Sequence, residues 1–267
     1  MRYALFLGCN IPARVPEYET SAKFLLKELG VDFKEIGGFG CCGYPFRVID
    51  LTTSLVLSAK NLALAERENR HILSLCQCCY GTLKKAKKML DEDLSLKNRI
   101  NEFLRGEGLN YEGTVEVKHL LHVLYKDLSL ERIREKVSNP LSDIKVASHY
   151  GCHALRPSSL VELDDPSDPR LLEELINITG AQSLLVNKRL ECCGAPLLGT
   201  NDGVALNFTR EKIMDALKNE ADHLCVACPY CKLQLENFQE RLFGKKVLST
   251  ILITDLINMA FGLKKAH

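Results

Sequence analysis

The chain has 267 residues, with 35 basic against 34 acidic side chains and a net charge of +1. No global field therefore draws it to nucleic acid or to an anionic membrane. Its 46% hydrophobic and 26% charged fractions suit one large or two smaller folded units, and the departure is in sulfur: twelve cysteines, with no tryptophan.

An apolar run from Tyr3 to Leu7 opens the chain and ends in Gly8-Cys9. It is shorter than the roughly 7–15 apolar residues of a signal peptide. It reads as a buried first strand, and the expected compartment is cytoplasmic, where thiols stay reduced. Residues Tyr18 to Leu29 carry apolar side chains at Phe24, Leu25, Leu26 and Leu29, a helical spacing that stops at Gly30. "VDFKEI" (31–36) predicts a strand leading into "GFGCCGYP" (38–45). A helix is expected over Leu51 to Asn69, and "HILSLC" (71–76) predicts a strand that runs into Cys76-x-x-Cys79. The charged segment from Lys84 to Glu116 predicts surface helices joined by loops, and "VEVKHLLHVLYKD" (115–127) a short strand with an amphipathic helix.

After the polar stretch "SNPLS" (138–142) the same order begins again, which divides the chain into residues 1–140 and 141–267. The strand-like run Lys145 to Tyr150 ends in Gly151-Cys152, and a helical pattern over Pro169 to Ile178 stops at Gly180. "AQSLLV" (181–186) leads into "LECCGAP" (190–196), a helix is expected over Val204 to Glu220, and "HLCVAC" (223–228) runs into Cys228-x-x-Cys231. "KVLSTILITDLINMAFG" (246–262) closes the half with a strand and a helix, whose Leu256, Ile257, Met259, Ala260 and Phe261 predict a core-facing stripe or a docking face. Residues 247–263 are interrupted by Ser249, Thr250, Thr254, Asp255 and Asn258, so no membrane span is expected. The predicted fold class is α/β: two pseudo-symmetric CCG-type repeats, each a small parallel sheet with flanking helices. The cysteines then fall at the carboxyl ends of strands, where open sheets take ligands.

The cysteines follow one formula twice: C-x31-C-C-G-x32-C-x-x-C and C-x39-C-C-G-x33-C-x-x-C. Disulfides would need oxidising surroundings, and a ring closed between neighbouring cysteines is strained. Structural zinc takes four ligands, one fewer than each half offers. Several irons bridged by sulfide accept more thiolates than one ion does, and a vicinal pair can serve neighbouring irons. A multi-iron site in each half is the expectation. Cys78 and Cys225 have no counterparts in the opposite half and are expected to pack as small apolar groups, with a ligand role for Cys78 as the alternative. Arg14, Arg47 and Arg156 lie within five residues of a cysteine, and Lys188 and Arg189 precede the second pair; these are the candidates for an anionic substrate. His149 and His153 bracket Cys152 and are candidates to hydrogen-bond a thiolate or sulfide. No P-loop is present, and the one G-x-G-x-x-G string, residues 38–43, carries the vicinal cysteines themselves, so electrons are expected from another chain.

With "YALFLGC", "LCQCCYGTL", "DDPSDPRLLEEL", "ECCGAPL" and "CPYCKLQLE", the sequence resembles the heterodisulfide reductase B-subunit family of duplicated CCG cysteine-rich domains over nearly its whole length. The resemblance implies two noncubane [4Fe-4S] clusters, one on Cys9, Cys41, Cys42, Cys76 and Cys79, the other on Cys152, Cys192, Cys193, Cys228 and Cys231. It implies reductive cleavage of a disulfide, such as that of coenzymes M and B, into two thiols. The partners it implies are a ferredoxin-type C subunit and a flavoprotein A subunit. An electron-transfer subunit of a lactate- or glycolate-oxidising complex, or of a sulfate-reducer or sulfur-oxidation complex, is the alternative. A zinc-stabilised scaffold without redox chemistry is the third reading.

Overall fold

The computed structural model describes residues 1–263. Two parallel four-stranded sheets form its framework. The first holds β1 (Arg2–Phe6), β2 (Asp32–Glu35), β3 (His71–Ser74) and β4 (Val117–His119), in the order β2-β1-β3-β4. The second holds β5 (Lys145–His149), β6 (Gln182–Leu184), β7 (His223–Val226) and β8 (Ser249–Leu252), in the order β6-β5-β7-β8. Central strand β1 is apolar on both faces, as a parallel sheet covered by helices favours: Tyr3 to Phe6 are all buried, whereas edge strand β2 is largely exposed. The α/β repeat architecture expected from the sequence is the one observed.

Five helices follow in the first half: α1 (Asn10–Arg14), α2 (Pro16–Glu28), α3 (Leu51–Arg67), α4 (Gln77–Glu92) and α5 (Leu94–Arg105). Short α6 (Leu120–His122) and α7 (Leu130–Arg134) complete it. The second half adds α8 (Cys152–Leu155), α9 (Ser158–Val161), α10 (Leu171–Asn177) and α11 (Asp202–Lys218). It ends with α12 (Pro229–Asn237), α13 (Gln239–Phe243) and α14 (Ile253–Ala260). Helices α3 and α11 are twins of equal length, each opened by a side-chain cap: Asp50 accepts from the Thr53 amide, and Asn201 from that of Val204.

Three local departures have physical causes. Helix α4 starts on the C-x-x-C itself, with Cys76 as its extended N-cap, rather than at the charged segment that begins with Lys84. Helix α10 starts two residues later than its apolar pattern, because the Arg170 and Leu171 amides donate to the Asp164 carboxylate. The amphipathic stretch after β4 makes one α-helical turn and then a π-helical one over Val123–Asp127, closed by the Leu128 amide on the Val123 carbonyl.

The halves exchange helices. Helix α14 packs on α2, where Asn258 donates to the Ser21 carbonyl at 2.9 Å. Its Leu256, Ile257 and Ala260 are fully buried, which makes the closing stripe core. Helix α4 in turn packs on α8 and α9. No helix among the described residues is long and apolar enough to cross a membrane.

Candidate metal centre

Each sheet reverses its winding between its first and third strands, and the crevice beyond their carboxyl ends is where such sheets receive ligands. Cys9 follows β1 and Cys76 follows β3; Cys152 follows β5 and Cys228 follows β7. The CCG turns enter the same crevices after β2 and β6. All twelve cysteines are free thiols.

The third residue of each CCG has to be glycine. Gly43 and Gly194 have φ of 89° and 97°. A Cβ there would stand 2.5 Å from the Ser54 carbonyl oxygen and 2.2 Å from that of Ala205, so α3 and α11 close over the turns only because it is absent. The Gly43 amide donates to Cys41 Sγ at 3.4 Å, and the Gly194 amide to Cys192 Sγ at 3.3 Å. From above, Ser58 Oγ donates to the Cys42 carbonyl at 2.7 Å and Thr209 Oγ1 to the Cys193 carbonyl at 3.0 Å. Both C-x-x-C segments form the first turn of a helix, α4 or α12, whose N-terminal dipole favours thiolate over thiol.

The sulfurs form a connected path. Cys41 stands beside Cys42, Cys42 beside Cys79, and Cys79 beside Cys76. In the second half Cys152 stands beside Cys192, Cys192 beside Cys193, Cys193 beside Cys231, and Cys231 beside Cys228. Cys228 meets Cys76 and Cys78, so the two sets touch across the pseudo-two-fold axis. Exposed Cys9 flanks Cys41 and lines the same narrow pocket as Cys42, Cys76 and Cys79. Thiols crowded this way split their acidities. Cys42 is pulled down by neighbouring Cys41 and Cys79, Cys192 by Cys152 and Cys193, and Cys228 by Cys231, Cys76 and Cys78, while their partners are pushed up. Ten sulfurs gathered without a disulfide, with amides and helix dipoles aimed at them, suit metal-bound thiolates, and five per set suit a multi-iron group.

A pocket of about 450 Å³ opens beside the point where the sets touch. Cys78, His153 and Tyr44 lie on its inner side, with Arg47, Arg156 and Lys85 among the cations that line it. His153 Nδ1 is 3.3 Å from Cys78 Sγ and 3.9 Å from Cys152 Sγ, bridging the halves. Its ring meets Tyr44 edge-on, and Arg47 stacks on the tyrosine ring at 3.7 Å.

Residues 3–84 and 146–236 both match the cysteine-rich domain family CCG. The B subunit of the ferredoxin:CoB-CoM heterodisulfide reductase of Methanosarcina mazei is 35% identical over 98% of this chain and 89% of its own. The chain belongs to the heterodisulfide reductase B-subunit family. The 8-methylmenaquinol:fumarate reductase membrane anchor subunit of Wolinella succinogenes is also 35% identical, over 98% of this chain and 92% of its own. A hypothetical protein from Helicobacter pylori shares the fold, with a TM-score of 0.76 at 20% identity over 98% of this chain and 49% of that one.

Within this family fold, Arg47 and Arg156 are the two substrate candidates that reach the pocket. Arg14 stands exposed at the end of α1 and lines no described pocket near the cysteines. Lys188 pairs with Glu191 and Glu211, and Arg189 with Asp168 and Glu173, and neither lines the pocket. Cys225 lies apart from both sets, its thiol pushed up by burial and then by Asp255 and Glu173. Cys78, expected to pack like Cys225, instead stands between the sets and faces the pocket.

Sequence reasoning missed Tyr44, Tyr230 and Lys212. Lys212 is fully buried, donates to the Lys188 carbonyl, and is brought down to about 8 by burial. Its signal was available: it follows Cys192 by the same interval that separates Asn61 from Cys41.

Proposed function

We propose that the chain is the catalytic iron–sulfur subunit of a heterodisulfide-reductase-type complex and that it reductively cleaves a disulfide into two thiols. In this reading residues 1–140 and 141–267 are two cluster-bearing domains. Cys9, Cys41, Cys42, Cys76 and Cys79 hold one noncubane [4Fe-4S] cluster, and Cys152, Cys192, Cys193, Cys228 and Cys231 hold the other. The observation that carries the reading is the contact of the two sets at Cys76 and Cys228, beside a pocket rimmed by cations. Electrons would come from a ferredoxin-type C subunit fed by a flavoprotein A subunit.

When bound, each cluster supplies one electron and iron that takes up a sulfur. Cleavage consumes two electrons and two protons per disulfide and releases two thiols. The chain's residues orient the substrate. Leu55, Met89 and Leu160 give the pocket an apolar wall for thioalkyl chains, while Arg47, Arg156 and Lys85 offer charge to an anionic end group. His153 Nδ1, beside Cys78 Sγ, can hold a proton next to a departing sulfur. Tyr44 and Tyr230, with ring centroids 6.1 Å apart, restrict water on the inner side.

Anaerobic iron loading tests the cofactor: about eight irons with matching sulfide per chain are expected, and zinc without sulfide overturns the reading. Arg47→Ala and Arg156→Ala are expected to raise KM for an anionic disulfide roughly tenfold at similar kcat. Unchanged kinetics in both variants reject the pocket as the substrate site. The fumarate-reductase relative favours a second reading, in which the same clusters relay electrons without meeting a disulfide. An EPR spectrum of the oxidised protein that does not respond to added thiol supports that relay.

A further inference from the structure

The two cysteine sets share a backbone but differ in what stands behind them. Aligning the CCG turns pairs Lys212 of α11 with Asn61 of α3, and aligning the Gly-Cys steps pairs His149 of β5 with Phe6 of β1. On the first side both counterparts are neutral. Asn61 donates to the Cys41 and Leu57 carbonyls and accepts from the Gly40 amide, so its polar atoms are used. Phe6 packs edge-on against Phe39 at 5.1 Å.

The second side is polar and charged. His149 is 1% exposed, and its ring lies within 4.8 Å of Cys193 Sγ and Cys231 Sγ. Neither ring nitrogen makes a hydrogen bond of ordinary geometry, although the Arg189 backbone stands beside the ring. A buried imidazole left this way is aimed at a group that completes it. Lys212, also 1% exposed, donates from α11 to the carbonyl of Lys188, four residues before Cys192, which holds an ammonium in the interior behind the second CC turn.

One-electron reduction of an iron–sulfur group adds a negative charge without making or breaking a bond. A buried ammonium and an imidazole N–H stabilise that charge; a satisfied amide and a phenyl ring do not. Exposure of Cys9 solvates the first set and acts in the opposite sense, but it wets one ligand at the rim, whereas Lys212 is a full charge in the interior. We propose that the second set holds the more easily reduced cluster, and that Lys212 and His149 impose this order as positioning residues for its charge. The inference rests on the two-cluster reading above. The electron comes from the iron–sulfur partner proposed there, or from dithionite in the assay.

Stepwise anaerobic reduction of the iron-loaded full chain, followed by EPR, is expected to resolve two midpoint potentials. Lys212→Asn and His149→Phe, each installing the first half's residue, should lower the upper midpoint and leave the lower one in place. Lys212→Arg keeps the charge and should stay near wild type. Cys193→Ser should delete the upper step and Cys42→Ser the lower. Variants that leave both midpoints unmoved, or move both alike, overturn the inference, as does loss of the lower step in Cys193→Ser. His149→Phe carries the test alone if Lys212→Asn does not fold. Two clusters with one shared midpoint defeat the inference but not the cluster reading, whereas a wild-type chain that binds no iron defeats both.

Discussion

The two halves solve one geometric problem with different interiors. Behind β1 the first half is apolar, with Leu5 and Leu7 flanking Phe6 in the run that leads to Cys9. The matching run in the second half is Ser148, His149 and Tyr150. Ser148 Oγ and Tyr150 Oη both donate to the Glu173 carboxylate at 2.7 Å, and Arg189 approaches it at 3.4 Å. Glu173 is 3% exposed, and these partners satisfy its buried carboxylate oxygens. Buried histidines likewise sit on non-equivalent strands: His149 where the first half has Phe6, and His119 at the end of β4 where β8 ends in Leu252. Backbone turns and cysteine positions are what the repeats share, because the metal site constrains them. The supporting interior was free to diverge.

The largest expected effect breaks the shared part. Gly43→Ala and Gly194→Ala each drive a methyl group into a helix carbonyl, and each should abolish iron binding in its own half, leaving roughly half the iron. Iron analysis of the two purified variants checks this. Full iron in either shows that its turn does not need to close under the helix.

A medium effect separates the histidines by pH. Burial holds His119 neutral, its pKa lowered to about 4, whereas in the unfolded chain it protonates near 6.5. Between those values the unfolded state binds more protons, so stability is complete above about 6.5 and is lost as pH falls toward 4. His119→Leu copies the second half and should remove about 2 kcal/mol of the loss between pH 7 and 5. Urea midpoints at the two pH values measure it, and an acid limb as steep as wild type shows that His119 is not its source.

The smallest effect compares the hydroxyls over the CC pairs. Ser58→Ala removes one hydrogen bond and should cost about 1 kcal/mol. Thr209→Val should cost more, since Gln234 Nε2 donates to the Thr209 hydroxyl at 2.8 Å and is left buried without it. Denaturant melts of the two variants side by side give the difference; equal losses would mean that Gln234 finds another partner.

Much of the fold was legible because its signals are local. Short apolar runs such as Tyr3 to Leu7 mark buried segments, and Gly30 and Gly180 stop their helices by taking a positive φ of 63° and 88°. The start of α4 was not legible, since "CQCCYG" has no apolar periodicity and its helix is fixed by tertiary packing on α8 and α9. The candidate cations divided for a similar reason. Lys188 and Arg189 sit a few residues before Cys192 and Cys193, yet beside local Glu191 they are held by carboxylates from distant segments, Glu211 on one side and Asp168 and Glu173 on the other.

By itself the sequence determined that the chain is a duplicated α/β unit with five matched cysteines in each copy, because the spacing of ligands and of apolar residues is a one-dimensional property. Only the tertiary structure decided that the two sets meet at Cys76 and Cys228, that Cys78 faces a pocket with His153, and that Lys212 stands behind one set alone. Those facts depend on how the carboxyl ends of two sheets are docked. Docking is fixed by contacts between residues tens of positions apart, such as α14 on α2 and α4 on α8, which no local pattern encodes.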